Sequence, residues 1–239
     1  MHVNIFMTIL IPSVTPCLFG KKRLVSRLRL GKILPRGYME FVNKVRGLYI
    51  SGRAIRTLVE LLGESKAVGV KIMKFHKITD DQAPEKFFIN PDEWYDLDRF
   101  LLGMKDIQEK VGEEKIRQVA NATIYHAPLP SFVQDIVSSL RHMDRAYQLN
   151  LSRDGIKTMH DDAVASGKHL DVAGRILTER IPGINKIICT STTCFPTFYE
   201  LGLIEGFARK FQSNAVVTLD KTKPMKKYSA DSNTFVVIW

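Results

Sequence analysis

Three groups of side chains in this 239-residue chain could do chemistry. Cys189 and Cys194 stand at C-x4-C spacing just before the segment CFPTFYELGLIEGFARKF (194–211). His160, Asp161 and Asp162 are consecutive, and His142 follows an apolar run. A closed zinc site needs four ligands, so the cysteines would have to recruit His160 or His169, whose approach no spacing fixes. Two small buried apolar cysteines are the simpler reading. The HDD run matches part of a metal phosphohydrolase signature but lacks its separate upstream histidine and downstream aspartate. His142 reads as a core or capping histidine, with a haem or metal ligand as the alternative. There is no G-x-S-x-G elbow, no P-loop and no G-x-G-x-x-G following a strand. The residues therefore name no reaction, and the chain reads more as a binding protein than as an enzyme.

The elements that must position these groups follow from periodicity. VRGLYIS predicts a short strand, and Ile55, Leu58, Val59 and Leu62 a helix ending at Gly63. AVGVKIMKF alternates like a strand, with a helix as the alternative. Pro91 is expected to open a helix carrying Leu97, Phe100, Leu101, Met104, Ile107 and Val111 on one face, broken at Gly112. A shorter helix through Ile116, Val119 and Ala120 follows. In PLPSFVQDIVSSLRHM, Ser131 and Gln134 read as a capping box, with Phe132, Val133, Ile136, Val137, Leu140 and Met143 buried. Asp154-Gly155 signals a hairpin within AYQLNLSRDGIKTMH. HLDVAGRILTER, INKIICT, NAVVTLD and NTFVVIW are strand candidates. Helices first and strands later predict an α+β fold, a helical layer packed on a twisted antiparallel sheet.

The segment 194–211 predicts an amphipathic helix. Thr197 and Glu200 have capping-box spacing, Phe198, Leu201, Ile204, Ala208 and Phe211 share a face, and Glu205 and Arg209 form an i,i+4 pair. Gly202 and Gly206 lie one turn apart, so a backbone or a ligand can approach closely there. Dense packing of this helix on the sheet is the plain expectation, and a ligand lying along the groove is the alternative.

Composition bounds the rest. With 45% apolar and 25% charged residues the chain is long enough to bury a core. Three cysteines argue against a disulfide framework and point to a reducing, cytoplasmic setting. The net charge of +10 is concentrated: residues 1–38 hold seven Lys/Arg and no acid, leaving 28 basic against 25 acidic residues in 39–239. No nucleic-acid partner is expected, because basic residues are not interleaved with exposed aromatics. Lys221, Lys223, Lys226 and Lys227 read as a solvated loop able to attract an anion. Residues 1–38 are expected to be a basic, poorly ordered arm, or a stretch upstream of a start at Met39. Its apolar part, interrupted by Asn4, Pro12 and Pro16, fits neither a signal peptide nor a clean membrane span, and membrane association would follow only if the arm is real. Residues 39–239 are then one domain.

The order of W-Y-x-L…F…I-x-E-x-x-G (Trp94 to Gly112), MDRAYQLN (143–150), CFPTFYELGLIEGFARKF and YSADSNTFVVIW (228–239) resembles the 4-vinyl reductase domain family. That family is similar in fold to TRAPP transport-particle subunits and to haem nitric-oxide-binding sensors. The resemblance covers roughly 44–239 and implies helices against a twisted antiparallel sheet, an internal pocket for a small, often apolar molecule, and a homodimer. Two departures matter. Asn233 stands where related sequences often carry a cysteine. YISGR (Tyr49, Ser51, Arg53) matches the haem sensors' Y-x-S-x-R, but it lies near the domain start with no ligand histidine before it.

The sequence thus predicts a small-molecule-binding, sensory or regulatory domain with a mostly apolar internal pocket beside Cys194–Gly206. His142, Tyr147, Cys194, Tyr199, Gly202 and Gly206 are its candidate ligand-binding residues. A structural adaptor working through a helix-mediated dimer or partner interface is the second expectation, and a metal- or haem-dependent sensor or enzyme the third. No cofactor is identified.

Overall fold

The computed structural model describes residues 45–79, 89–167, 171–223, 225–226 and 232–239. The basic arm and most of DDQAPEKFFINPDE lie outside the described residues. The elements run β1 (Tyr49–Ser51), α1 (Gly52–Leu61), α2 (Lys66–Phe75), β2 (Trp94–Asp96), α3 (Leu97–Val111), α4 (Glu113–His126), α5 (Ile136–Leu149), β3 (Leu151–Ser152), α6 (Met159–Ser166), β4 (Ile176–Arg180), β5 (Lys186–Ser191), α7 (Thr197–Arg209), β6 (Val216–Leu219) and β7 (Asn233–Ile238).

This is an α+β fold with two antiparallel sheets, a small one in the order β2-β1-β3 and a larger one in the order β4-β5-β7-β6. Period-2 alternation divides the larger sheet cleanly. Cys189 pairs with Phe235 and Ile187 with Val237, and all four are buried on the helix-facing side. The opposite face carries Leu177, Val216 and Ile238, each more than half exposed.

Several local readings change. AVGVKIMKF is helical: Gly69 and Met73, one turn apart, are its buried residues, and Met73 packs against Gly103 of α3. Tertiary contact outweighs its β-branched propensity. Pro91 lies in a turn, strand β2 intervenes, and the helix starts at Leu97. Its end is as expected: Gly112, at φ 90, adopts a backbone that side chains disfavour and serves both as the cap of α3 and the start of α4. Helix α4 runs 14 residues against 15 for α3, so it is hardly the shorter one.

The cap of α5 is Asp135, not Ser131. Its carboxylate accepts the Ser138 N–H at 2.6 Å, and the Ser138 hydroxyl accepts the Asp135 N–H at 3.0 Å. Phe132 therefore lies before the helix and is 55% exposed, not buried. The Asp154-Gly155 turn follows a strand of only two residues, and Ser152 bridges to Thr158 without a second full strand. AYQL belongs to α5, and Asn150 is its C-cap.

Helix α7 packs most closely on α4, not on the sheet. A Cβ on Gly202 would lie 2.1 Å from the Arg117 carbonyl oxygen, and one on Gly206 2.7 Å from Ile124 Cβ. Buried Glu205 accepts a charged hydrogen bond from Arg117 at 2.6 Å, while its i,i+4 partner Arg209 stands at 3.8 Å. The Lys210 ammonium donates to the carbonyls of Ile124, Tyr125 and Ala127, closing the C-terminus of α4. The glycines thus buy a helix–helix crossing.

Candidate functional site

Helices α3, α5 and α7 converge with the β5–α7 loop on one aromatic cluster. Phe195, carried by that loop, places its ring 5.2 Å from Tyr199, 5.5 Å from Tyr147 and 6.5 Å from Phe100. Edge and tilted contacts of this kind suit the ring quadrupoles. Phe195 is only 9% exposed. The polar edge of the cluster is closed on itself. Tyr147 donates its hydroxyl proton to the Ala173 carbonyl at 2.5 Å, and the Cys194 sulfur lies 3.2 Å from the same oxygen. The Cys194 N–H also points to it at 3.4 Å. With its own proton committed, the phenol is placed to accept from the thiol.

Burial dominates the ionisation of these groups. It pushes Tyr147 and Tyr199 well above the usual phenol range and the Cys194 thiol to about 11. Cys189, on the sheet's inner face, is pushed to about 12. All four are neutral at physiological pH, and neither thiol is poised as a nucleophile.

Of the residues singled out from sequence, the structure brings together Tyr147, Cys194 and Tyr199. Gly202 and Gly206 face α4 on another side of α7. His142, on α5, lies apart: it is 8% exposed, its ring meets the exposed Phe132 edge-on at 5.4 Å, and its Nδ1 is buried without a hydrogen-bond partner. His160 follows the Thr158 cap of α6. Among the described residues no three His, Cys, Asp or Glu side chains group so as to hold a metal ion.

A buried polar network next to the aromatic cluster escaped sequence reading. Glu200, 2% exposed, accepts from Ser191 at 2.6 Å, from Asn233 Nδ2 at 2.8 Å, and from Thr193 and the Lys226 ammonium. Asn233 also donates to Thr197 at 3.0 Å and accepts the Lys226 backbone N–H at 3.0 Å. Asn233 is thus an amide serving a carboxylate. Glu200 does not cap α7, whose N-cap is Pro196 with no side-chain bond. Thr197-x-x-Glu200 was the only signal, and it is the same for either orientation of the carboxylate.

The YISGR residues have structural partners. Tyr49 pairs with Asp96 and Ser152, Ser51 caps α1, and Arg53 bonds Asp92 at 2.5 Å.

No family model matches the chain, and no curated protein does. Solved structures do match. A Cs H-NOX mutant with 4-cyano-L-phenylalanine at site 5 aligns with 79% of this chain and 94% of its own, at 18% identity and a TM-score of 0.51. The Fe(II) unliganded H-NOX protein from K. algicida aligns with 79% of this chain and 96% of its own, at 12% identity and a TM-score of 0.50. At these identities the likeness is one of fold.

Haem is the group such a fold suggests, and it requires an axial His, Met, Tyr or thiolate facing room for the macrocycle. In the interior here, the Tyr147 oxygen is engaged by Ala173 and Cys194, and the space between α3, α5 and α7 is taken by the Phe195 ring. Buried His76 is bonded through Nε2 to Asp106 at 2.8 Å. His142 opens onto a shallow surface groove lined by residues 132–145 alone. With the Phe195 ring in place, the described interior leaves no room for a haem macrocycle.

Proposed function

We propose that this chain is a small-molecule-binding, sensory domain of the cytoplasm whose ligand takes the place now held by Phe195. One observation carries the reading: a loop-borne aromatic ring fills the meeting point of three helices, with a phenol and a thiol at its edge. The likeness to H-NOX structures and the resemblance to the 4-vinyl reductase family, with its TRAPP-like fold, support it. A ligand that displaces Phe195 must replace the burial it removes, at about 25 cal/mol per Å² of apolar surface. The ligand is therefore apolar and larger than a phenyl ring. The Tyr147 hydroxyl and the Cys194 thiol orient its polar end, while Tyr199 gives it a flat wall. Gly202 and Gly206 keep α7 rigid against α4, so displacement of the loop is transmitted to the adjoining Glu200 network.

The test uses the neutral fluorophore N-phenyl-1-naphthylamine with wild type, Phe195→Ala and Phe195→Trp, each first shown to melt cooperatively. Binding is expected to be weak in wild type, at least tenfold tighter in Phe195→Ala and lost in Phe195→Trp. Equal binding by all three would overturn the assignment.

A second reading, an adaptor working as a homodimer or with a protein partner, is favoured by the outer sheet face, where Leu177, Val216 and Ile238 are each more than half exposed. Concentration-dependent dimerisation lost on Val216→Lys would select it.

A further inference from the structure

The face of α5 remote from the aromatic cluster carries a second constellation. Phe132, Val137, Ser138, Arg141, His142 and Arg145 line a shallow groove of about 340 Å³, with Asp135 at its end. Ser138, Arg141, His142 and Arg145 follow i, i+3, i+4, i+7 spacing and share one stripe of the helix. Phe132 folds back over that stripe: its ring meets His142 at 5.4 Å and lies under the Arg145 guanidinium at 5.7 Å. Three features ask for an occupant. His142 is 8% exposed yet its Nδ1 has no partner, and buried polar atoms of this kind are rare. Arg141 and Arg145 have no carboxylate partner among the described residues. The groove's one acid, Asp135, already accepts the Ser138 N–H and hydroxyl.

We propose that this groove binds a small organic anion, a phosphate or carboxylate joined to a flat apolar body. The anion lies between Arg141 and Arg145 beside His142, away from Asp135, and its flat part rests on Phe132 and Val137. Arginine forks suit both head groups. Burial first, then the charges of Arg145 and of His160 on α6, hold His142 below the ordinary histidine value of 6.5. Asp135 stays ionised at its cap, and a bound anion adds further negative charge beside those cations. Binding therefore raises the His142 value and strengthens as pH falls through it. This site is independent of the interior reading, since Tyr147 and His142 face different sides of α5.

The experiment follows the His142 imidazole resonances against pH with phenyl phosphate, benzoate and neutral phenol. Either anion is expected to bind, to shift the His142 titration upward and to lose affinity about tenfold or more in Arg141→Ala or Arg145→Ala, both exposed positions. Phe195→Ala should leave this binding unchanged. If phenol binds as well as the anions, if binding survives the double arginine substitution, or if His142 does not shift, the proposal is overturned. His142→Gln serves as a second variant, expected to weaken the anions and not to affect phenol.

Discussion

The Cys194 sulfur lies 3.2 Å from the Tyr147 oxygen, whose own proton goes to the Ala173 carbonyl at 2.5 Å. One phenol thereby ties α5 to the turn before β4 and to the loop that carries Phe195. A buried hydroxyl with a donor on one side and an acceptor on the other is fully satisfied, so it rigidifies the site at little net cost.

Replacing Tyr147 by Phe keeps the ring against Phe195 but leaves the buried Ala173 carbonyl without its donor. A loss of about 1–3 kcal/mol in unfolding free energy is expected from urea titration. An unchanged midpoint would show that water replaces the phenol.

Glu200 should matter more. Glu200→Ala strands the Lys226 ammonium, 9% exposed, beside Ser191 and Asn233. Breaking a buried pair from one side costs about 3–5 kcal/mol. The Glu200→Ala, Lys226→Met double variant is expected to recover most of that loss. A cycle with no coupling would show the pair is not formed in solution.

How far the sequence revealed this arrangement depended on the physics of each signal. Helix α3 was readable because six apolar residues kept one period up to a glycine that had to break it. The cap of α5 was misplaced because Ser131-x-x-Gln134 and Asp135-x-x-Ser138 are both acceptable patterns, and only the rise of the chain into the core selects the second. Tyr147, Cys194 and Tyr199, three of the six candidate ligand-binding residues, meet around the β5–α7 loop, but no periodicity or motif marks Phe195, the ring that joins them. Lys226 sits among lysines that read as solvated, and nothing local distinguishes the one that turns inward to Glu200. Gly202 and Gly206 announced a close approach without saying to what; the partner, α4, is about 85 residues earlier.

At Gly202 the neighbour is backbone and cannot give way. Gly202→Ala should cost about 1–3 kcal/mol or more by forcing α7 from α4, even though alanine favours helix. Gain of stability on thermal melting would contradict the described crossing.

The thiols should be inert in the folded state. With Cys194 near 11, about one thiolate in a thousand is present at pH 8, and the group is buried as well. In a Cys17→Ser background, labelling of Cys189 and Cys194 by a disulfide reagent should track unfolding as urea is raised. Rapid labelling in native buffer would mean that the loop opens freely.

The central claim, an interior ligand site with no haem, is tested most directly by native and denaturing mass spectra of protein purified gently from its own host, with an absorption scan of the same sample. The account predicts a discrete added mass lost on denaturation and no Soret band. Stoichiometric haem with a Soret band, or a clean apo mass with a stable dimer, would contradict it.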